Sequence, residues 1–567
     1  MVPRFISLLA CLGAAATLLL SAQVPTTRGA DGEIRAVRAY NEAVRGGPLT
    51  LYAFLVQFPK GADLHMHLSG AVYAETFIRD AGEDGLCVDI DTLGFAQPPC
   101  VTHTVPAAQL SGGASGPAST TPLPGASDGS GEFAPKLVRL EPAAQLTGVL
   151  SAANQALYNR LIDAFSMRSF VPSSGWSGHD QFFATFGRFG GLSKSHTGEW
   201  VSEVATRAAR QNEQYLELME TPPFAHAAQI AREIGWHAEM SRPDAGTADF
   251  ALLRQELLDR GLRDEVAADQ ADVRDAESKR LRLERCGTPE ATSACHVEIR
   301  YIYQVLRGNP PEQVFAQALL GFETVQASMQ ADAGGFVGIN FVMPEDGLIS
   351  MHDYTLQMKM VGYLHSVYPR VHITLHAGEL APGMVPPSGL RFHIRQAVEI
   401  AHAERIGHGV DVMYEDGAQQ LLKEMAEKHV MVEINLTSNA VILGIQGDEH
   451  PFPIYRAEHV PVAISTDDEG VSRIDLTHEY VMAAREYHLS YSDLKELART
   501  GMEHDFLPGT SLWARPDDYS EPVAACRGQL LGGDSPSAGC REFLDGSEKA
   551  KAQWELERRF RVFEAKL

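Results

Sequence analysis

Short apolar runs recur along this chain, and most stretches between them carry apolar residues at helical rather than alternating spacing. The first strong strand signal is Gly61-Ala-Asp-Leu-His-Met-His67. Seven more follow at Gln214–Met219, Glu298–Val305, Phe336–Val342, His372–His376, Arg405–Gly407, Val430–Asn435 and Pro461–Thr466. Runs this short and this rich in apolar or β-branched residues suit strands buried on both faces. Strand and helix signals alternate, which predicts an α/β fold, a parallel (β/α)8 TIM barrel. A helical approach precedes it, with Val37, Tyr40, Val44, Leu51, Phe54 and Leu55 as its apolar positions.

Three segments break the alternation. From Ser111 to Gly131 nearly every residue is Gly, Ser, Ala, Pro or Thr, a composition too poor in apolar surface to order itself. It lies within a predicted rim insertion at about 84–145. A second insertion, at about 241–297, holds the highly charged stretch Phe250–Arg285, whose Leu252, Leu253, Leu257, Leu258 and Leu262 predict a surface helix. Beyond Gly509 a Pro/Gly-rich extension ends in a helix over 547–567. The expected plan is a leader at 1–22, a helical segment at 23–58, the barrel at 59–509 and the extension at 510–567.

The leader rests on composition. Arg4 precedes an apolar run from Phe5 to Leu20, and Ser21-Ala22-Gln23 follows, the layout of a secretory signal peptide. The competing reading is an uncleaved anchor. The expected location is secreted or periplasmic, with no stable membrane insertion once the leader is removed. Of seven cysteines, six remain after Cys11 leaves with the leader. They fall into sequence-local pairs, Cys87 with Cys100, Cys286 with Cys295 and Cys526 with Cys540, and export makes structural disulfides possible. The charge balance, 48 Lys and Arg against 73 Asp and Glu, disfavours nucleic acid and anionic membranes as partners. A homodimer is compatible with the sequence.

The polar residues at strand ends change the picture most. In a (β/α)8 barrel the active site lies at the C-terminal ends of the strands. His65 and His67, two apart on a strand, project to the same side. His376 ends Ile373-Thr-Leu-His376 and is followed by Ala-Gly-Glu379; Asp467 ends Val462-Ala-Ile-Ser-Thr-Asp467 and is followed by Asp468. Three imidazoles and a carboxylate make a zinc ligand set with room for water. His408, ending Arg405-Ile-Gly-His408, and Glu379 are candidates for acid–base work beside it.

These motifs occur in the order seen in the adenosine deaminase family, which the chain resembles from residue 59 to about 505. They are His-x-His, His-Ala-Gly-Glu379, Ile-Gly-His408-Gly, Thr437-Ser438-Asn439 and Ser465-Thr-Asp-Asp468. The leader, Phe58-Pro-Lys-Gly-Ala-Asp-Leu-His65 and the cysteine-bearing insertion look most like the secreted adenosine deaminase-related growth factor branch. The resemblance implies one zinc per chain on His65, His67, His376 and Asp467. It implies that His408 orients or deprotonates a water and that Glu379 protonates purine N1. Asp468 would face N7, Gly338 would offer backbone near N3, and the substrate would be a purine nucleoside, adenosine becoming inosine.

Departures bear on the substrate. Ser69 stands where common adenosine deaminases carry Asp near the ribose, Glu469-Gly470 follows Asp468 where Pro is usual, and Met343-Pro-Glu345-Asp346 ends the segment begun at Gly338. The alternatives are another mononuclear amidohydrolase or a deaminase of a different purine, and, from another class, a non-catalytic nucleoside-binding or signalling protein. No Cys-x-x-Cys occurs, which excludes the unrelated zinc deaminases that need one.

Overall fold

The computed structural model describes residues 27–101, 103–105, 136–147, 152–237, 240, 247–331 and 335–567. The expected leader and the Ser111–Gly131 stretch lie outside them. Among the described residues no helix is long and apolar enough to cross a membrane.

Eight parallel strands run in sequence order around one sheet. They are β1 (Gly61–His67), β2 (Glu213–Glu220), β3 (Glu298–Leu306), β4 (Phe336–Val342), β5 (His372–Ala377), β6 (Arg405–His408), β7 (Met431–Ile434) and β8 (Val462–Ile464). All eight expected strands are present, within a residue or two of their expected ends. The sheet closes where the chain leaves β8: the Asp467 N–H donates to the His65 carbonyl (2.9 Å) and the His67 N–H to the Asp467 carbonyl (3.2 Å). Thr466 reinforces this seam by donating its N–H and hydroxyl to the buried Asp63 carboxylate (3.1 and 2.6 Å). The fold is therefore a (β/α)8 barrel.

Every residue of β1, β4, β6, β7 and β8 is buried, as strands covered on both faces must be. Helices such as Pro311–Ala331, after β3, and Leu348–Val367, after β4, form the outer layer. The sequence-derived surface helix needs correction. Phe250, Leu253, Leu257 and Leu262 are buried in the main core and Leu252 alone of the leucines named points well out, at 72% exposure. These leucines, Leu262 apart, share the helix pair Thr247–Asp259 and Val266–Leu283 with many charged residues, of which Asp269 and Arg280 are themselves buried.

The first insertion carries a small antiparallel sheet, Gly94–Ala96, Cys87–Asp89 and Leu140–Pro142. It packs on its own apolar cluster, which includes Phe77, Phe165, Phe182 and Phe189. Three disulfides, Cys87–Cys100, Cys286–Cys295 and Cys526–Cys540, match the sequence-local pairing. The N-terminal helices Thr27–Arg45 and Pro48–Leu55 meet the last helix, Glu548–Lys566, through Phe54 against Phe563 and Phe58 against Phe560. The last helix also meets the start of β2, where Gln214 Nε2 donates to the Ala552 carbonyl (2.7 Å) and Arg559 to the Glu213 carbonyl (3.0 Å).

Candidate active site

His65 and His67 come from the end of β1, His376 from the end of β5, and Asp467 from just past β8. The Nε2 atoms of His65 and His67 lie 3.2 and 3.1 Å from that of His376. Asp467 Oδ1 lies 3.5 and 3.3 Å from His65 and His67 Nε2. It is buried with no hydrogen-bond partner, while Ser438 donates to Oδ2 (2.6 Å).

The far side of each ring explains why these atoms converge. His65 Nδ1 meets Glu433 Oε2 (2.5 Å), His67 Nδ1 meets Gln304 Oε1 (2.6 Å) and His376 Nδ1 meets Asn340 Oδ1 (2.9 Å). A carboxylate or amide oxygen only accepts, so each Nδ1 carries the proton and each Nε2 turns a lone pair inward. Three nitrogens and one carboxylate oxygen around one point are the four protein donors of a metal site that can accept a fifth, oxygen ligand. These residues fit a metal ion. Glu433 is itself anchored by Arg405 Nε (2.7 Å), which reaches across to Glu217 (2.6 Å). A buried ion network therefore runs through the barrel beneath the candidate site.

Glu379 lies beyond the end of β5. Burial, then the Asp467 carboxylate, raises its pKa well above the usual carboxyl range, which favours the protonated form. Its backbone N–H donates to Glu345 Oε2 (2.7 Å) and that of Gly378 to Oε1 (3.0 Å). Glu345 in turn accepts from His393 Nδ1 (2.6 Å), so one buried carboxylate holds the loop that carries Glu379. His408, at the end of β6, places Nε2 3.7 Å from Glu379 Oε1, and burial lowers its pKa to about 3. His408 and Asp467 both take positive φ, 71° and 60°, in the left-handed region that L-residues adopt at a cost of about 1–3 kcal/mol. Both sit at strand ends, where that turn redirects the side chain.

Asp468 is buried, its Oδ1 has no hydrogen-bond partner, and burial and Asp467 raise its pKa well above the carboxyl range. A Cβ on Gly70 would fall 1.4 Å from that oxygen, so only glycine lets Asp468 lie where it does. Ser69 is half-buried in the short helix Leu68–Ala71 that follows His67. Gly338 is not brought to the cluster. It pairs with His372, four residues below His376, and faces Phe506. The residue of this segment at the barrel mouth is Met343, past the end of β4, with a φ of 91°.

Gln304, Asn340, Glu433 and Glu345 were missed from the sequence. The available signal was a polar residue inside an otherwise apolar strand, as for the first three. A second group, Asp80, Glu83, His196 and Glu199, brings metal-type donors together on the rim. There Asp80 already accepts from Arg79 and Trp200, and Glu199 pairs with Lys279.

Residues 283–512 match the adenosine deaminase family model. An adenosine deaminase of Clostridium perfringens is 33% identical over 135 residues, 24% of this chain and 37% of that protein. One of Escherichia coli is 38% identical over 137 residues, 24% and 38% of the two chains. The chain thus spans little more than a third of the length of these curated relatives. Among solved structures, an N6-methyl-AMP deaminase from Arabidopsis thaliana is 20% identical with a TM-score of 0.43, covering 81% of this chain and 94% of that one. A Burkholderia ambifaria amidohydrolase with bound Zn is 16% identical with a TM-score of 0.46, covering 81% and 88%.

Proposed function

We propose that this chain, whose residues 283–512 match the adenosine deaminase family, catalyses the zinc-dependent hydrolytic deamination of adenosine or a related 6-aminopurine nucleoside. The observation that carries the reading is the convergence of three Nε2 atoms and Asp467 Oδ1 beside a buried Glu379 whose protonated form is favoured. His65, His67, His376 and Asp467 would hold one zinc, which when bound supplies the Lewis acidity that activates water near neutral pH.

The chain's own groups supply the rest. Glu379, whose burial favours the protonated form, would give a proton to purine N1, which makes C6 electrophilic. Asp468, pushed the same way by burial and by Asp467, would donate a hydrogen bond to N7. His408 faces Glu379 at the place where the attacking oxygen must be oriented. Water adds at C6, the C6–N bond breaks, and ammonia leaves, giving inosine from adenosine. Ser69, half-buried in the short helix after His67, would hydrogen-bond a ribose hydroxyl.

A nucleoside fits better than a nucleotide. A 5′-phosphate needs cationic clamps, and Arg473, five residues beyond Asp468, is engaged by Glu75 (3.1 and 2.8 Å). The leader and three disulfides support a secreted or periplasmic location. The test is release of ammonia, or of methylamine from N6-methyl substrates, from a panel of adenosine, deoxyadenosine, adenine, N6-methyl and 5′-substituted adenosines, AMP and guanine compounds. Adenosine should exceed AMP by at least about a hundredfold in kcat/KM, roughly 2.7 kcal/mol. Comparable values for the two would overturn the nucleoside reading, and no turnover of any member would overturn the enzyme.

A further inference from the structure

His408 stands at the end of a buried chain of hydrogen bonds whose directions can be worked out one at a time. The Phe452 backbone N–H points at His450 Nδ1 (3.1 Å). A backbone amide only donates, so His450 Nδ1 accepts and the ring's proton sits on Nε2. Burial lowers the His450 pKa to about 4, so no second proton is present at neutral pH. Its Nε2–H lies 3.0 Å from Asn439 Oδ1 and donates to it. This orients the amide, whose oxygen and nitrogen are otherwise interchangeable. Asn439 Nδ2 then faces His408 Nδ1 at 2.9 Å, with Asn435 Nδ2 at 3.4 Å on the same atom. Both neighbours donate, so His408 Nδ1 accepts. All four side chains are at most 2% exposed, so water does not compete for these contacts.

We infer that His450 and Asn439 are positioning residues that lock His408 as its Nε2–H tautomer, making His408 a hydrogen-bond donor to the reacting oxygen rather than its proton acceptor. The second half of this statement rests on the deaminase reading; the first half does not. The atom turned toward Glu379 is Nε2, and in this tautomer it has a proton and no free lone pair. His408 therefore orients an oxygen and stabilises negative charge on it, and the His450–Asn439 relay decides which of the two histidine roles the site uses.

Protein labelled with 15N at histidine reports the tautomer directly, with the His408 signals identified by their loss in His408→Gln. Expected in the wild type is a pyridine-type Nδ1 and a pyrrole-type Nε2. Asn439→Asp is nearly isosteric but offers no N–H, so it should move the proton to Nδ1. With zinc content unchanged, kcat should fall by about a hundredfold, the usual worth of one donor to a developing oxyanion, while KM stays within about threefold. His450→Leu should let both tautomers appear and lower kcat, and His450→Gln, whose amide can still donate to Asn439, should restore most of the loss. A wild-type spectrum with the proton on Nδ1, or an unchanged tautomer in Asn439→Asp, overturns the lock. A swapped tautomer with undiminished kcat overturns the donor role. Should Asn439→Asp fail to fold, the wild-type, His450→Leu and His450→Gln spectra decide the lock. Should the wild type turn over no aminopurine, the enzymatic reading fails while the spectra still decide the lock.

Discussion

Glu379 owes its proton to its surroundings, so exchanging it isolates that proton. Glu379→Gln keeps the size and a donor but cannot deliver a proton. Zinc should remain at one per chain while kcat falls by about 10² to 10⁴-fold. A near-normal kcat would remove Glu379 from the chemistry. Glu433 acts one step further out. Glu433→Gln takes the charge from His65 Nδ1, and zinc affinity in a chelator competition should drop by about 10 to 100-fold. Gly70→Ala would drive a methyl group into Asp468, so catalytic efficiency should fall at least tenfold, on the order of 1.4 kcal/mol, with zinc retained. At this scale the sequence exposes the ligands because each ends a strand in a repeated position. Glu433 and Gln304 stay hidden because their partners lie 368 and 237 residues away, and only the closed barrel brings them together. Gly338 shows the converse. A glycine in a strand is consistent with close backbone approach, but register places it level with His372, against Phe506.

Strands and helices were the most legible elements, since a run buried on both faces is apolar throughout and a helix shows its period. Insertions were less so. The charged helices after β2 look solvated in sequence because their polar faces dominate the composition, yet Leu253 and Leu257 enter the barrel's core. The extension behaves as a small element with its own apolar cluster of Leu512, Trp513, Leu544 and Trp554 around the Cys526–Cys540 disulfide. Closing that short loop restricts the unfolded chain by about 3 kcal/mol. Replacing both cysteines by serine should lower the melting temperature while leaving kcat/KM intact, since the cluster contributes no residue to the site. A matching loss of activity would show that the extension shapes the barrel mouth.

For the whole molecule, charge burial governs the response to pH. Burial raises Asp63, Glu220, Asp269, Glu415 and Asp505 to about 7 and Glu479 to about 8. A carboxyl whose folded pKa exceeds its unfolded value binds its proton more tightly in the native state. That stability is complete below the unfolded pKa and is lost as pH rises through the folded one. Buried neutral histidines such as His450, held at about 4, act in the opposite sense but are fewer among these groups. With zinc saturating, the melting temperature should therefore be higher at pH 5.5 than at pH 7. A maximum at or above neutrality would mean that these carboxyls ionise in place or find cationic partners.

The seam between β1 and the residue after β8 has a consequence in time. His67 and Asp467 stand roughly 400 residues apart, so at about 5–20 residues per second the ribosome delivers the second some 20 to 80 seconds after the first. Until then β1 is an edge strand and the three imidazoles lack their carboxylate. Truncated chains that stop before β8 should bind zinc weakly however well their helices form. Tight metal uptake would thus be a proof of completion: Asp467, just past the last strand of the barrel, is the residue that would let the ion stay.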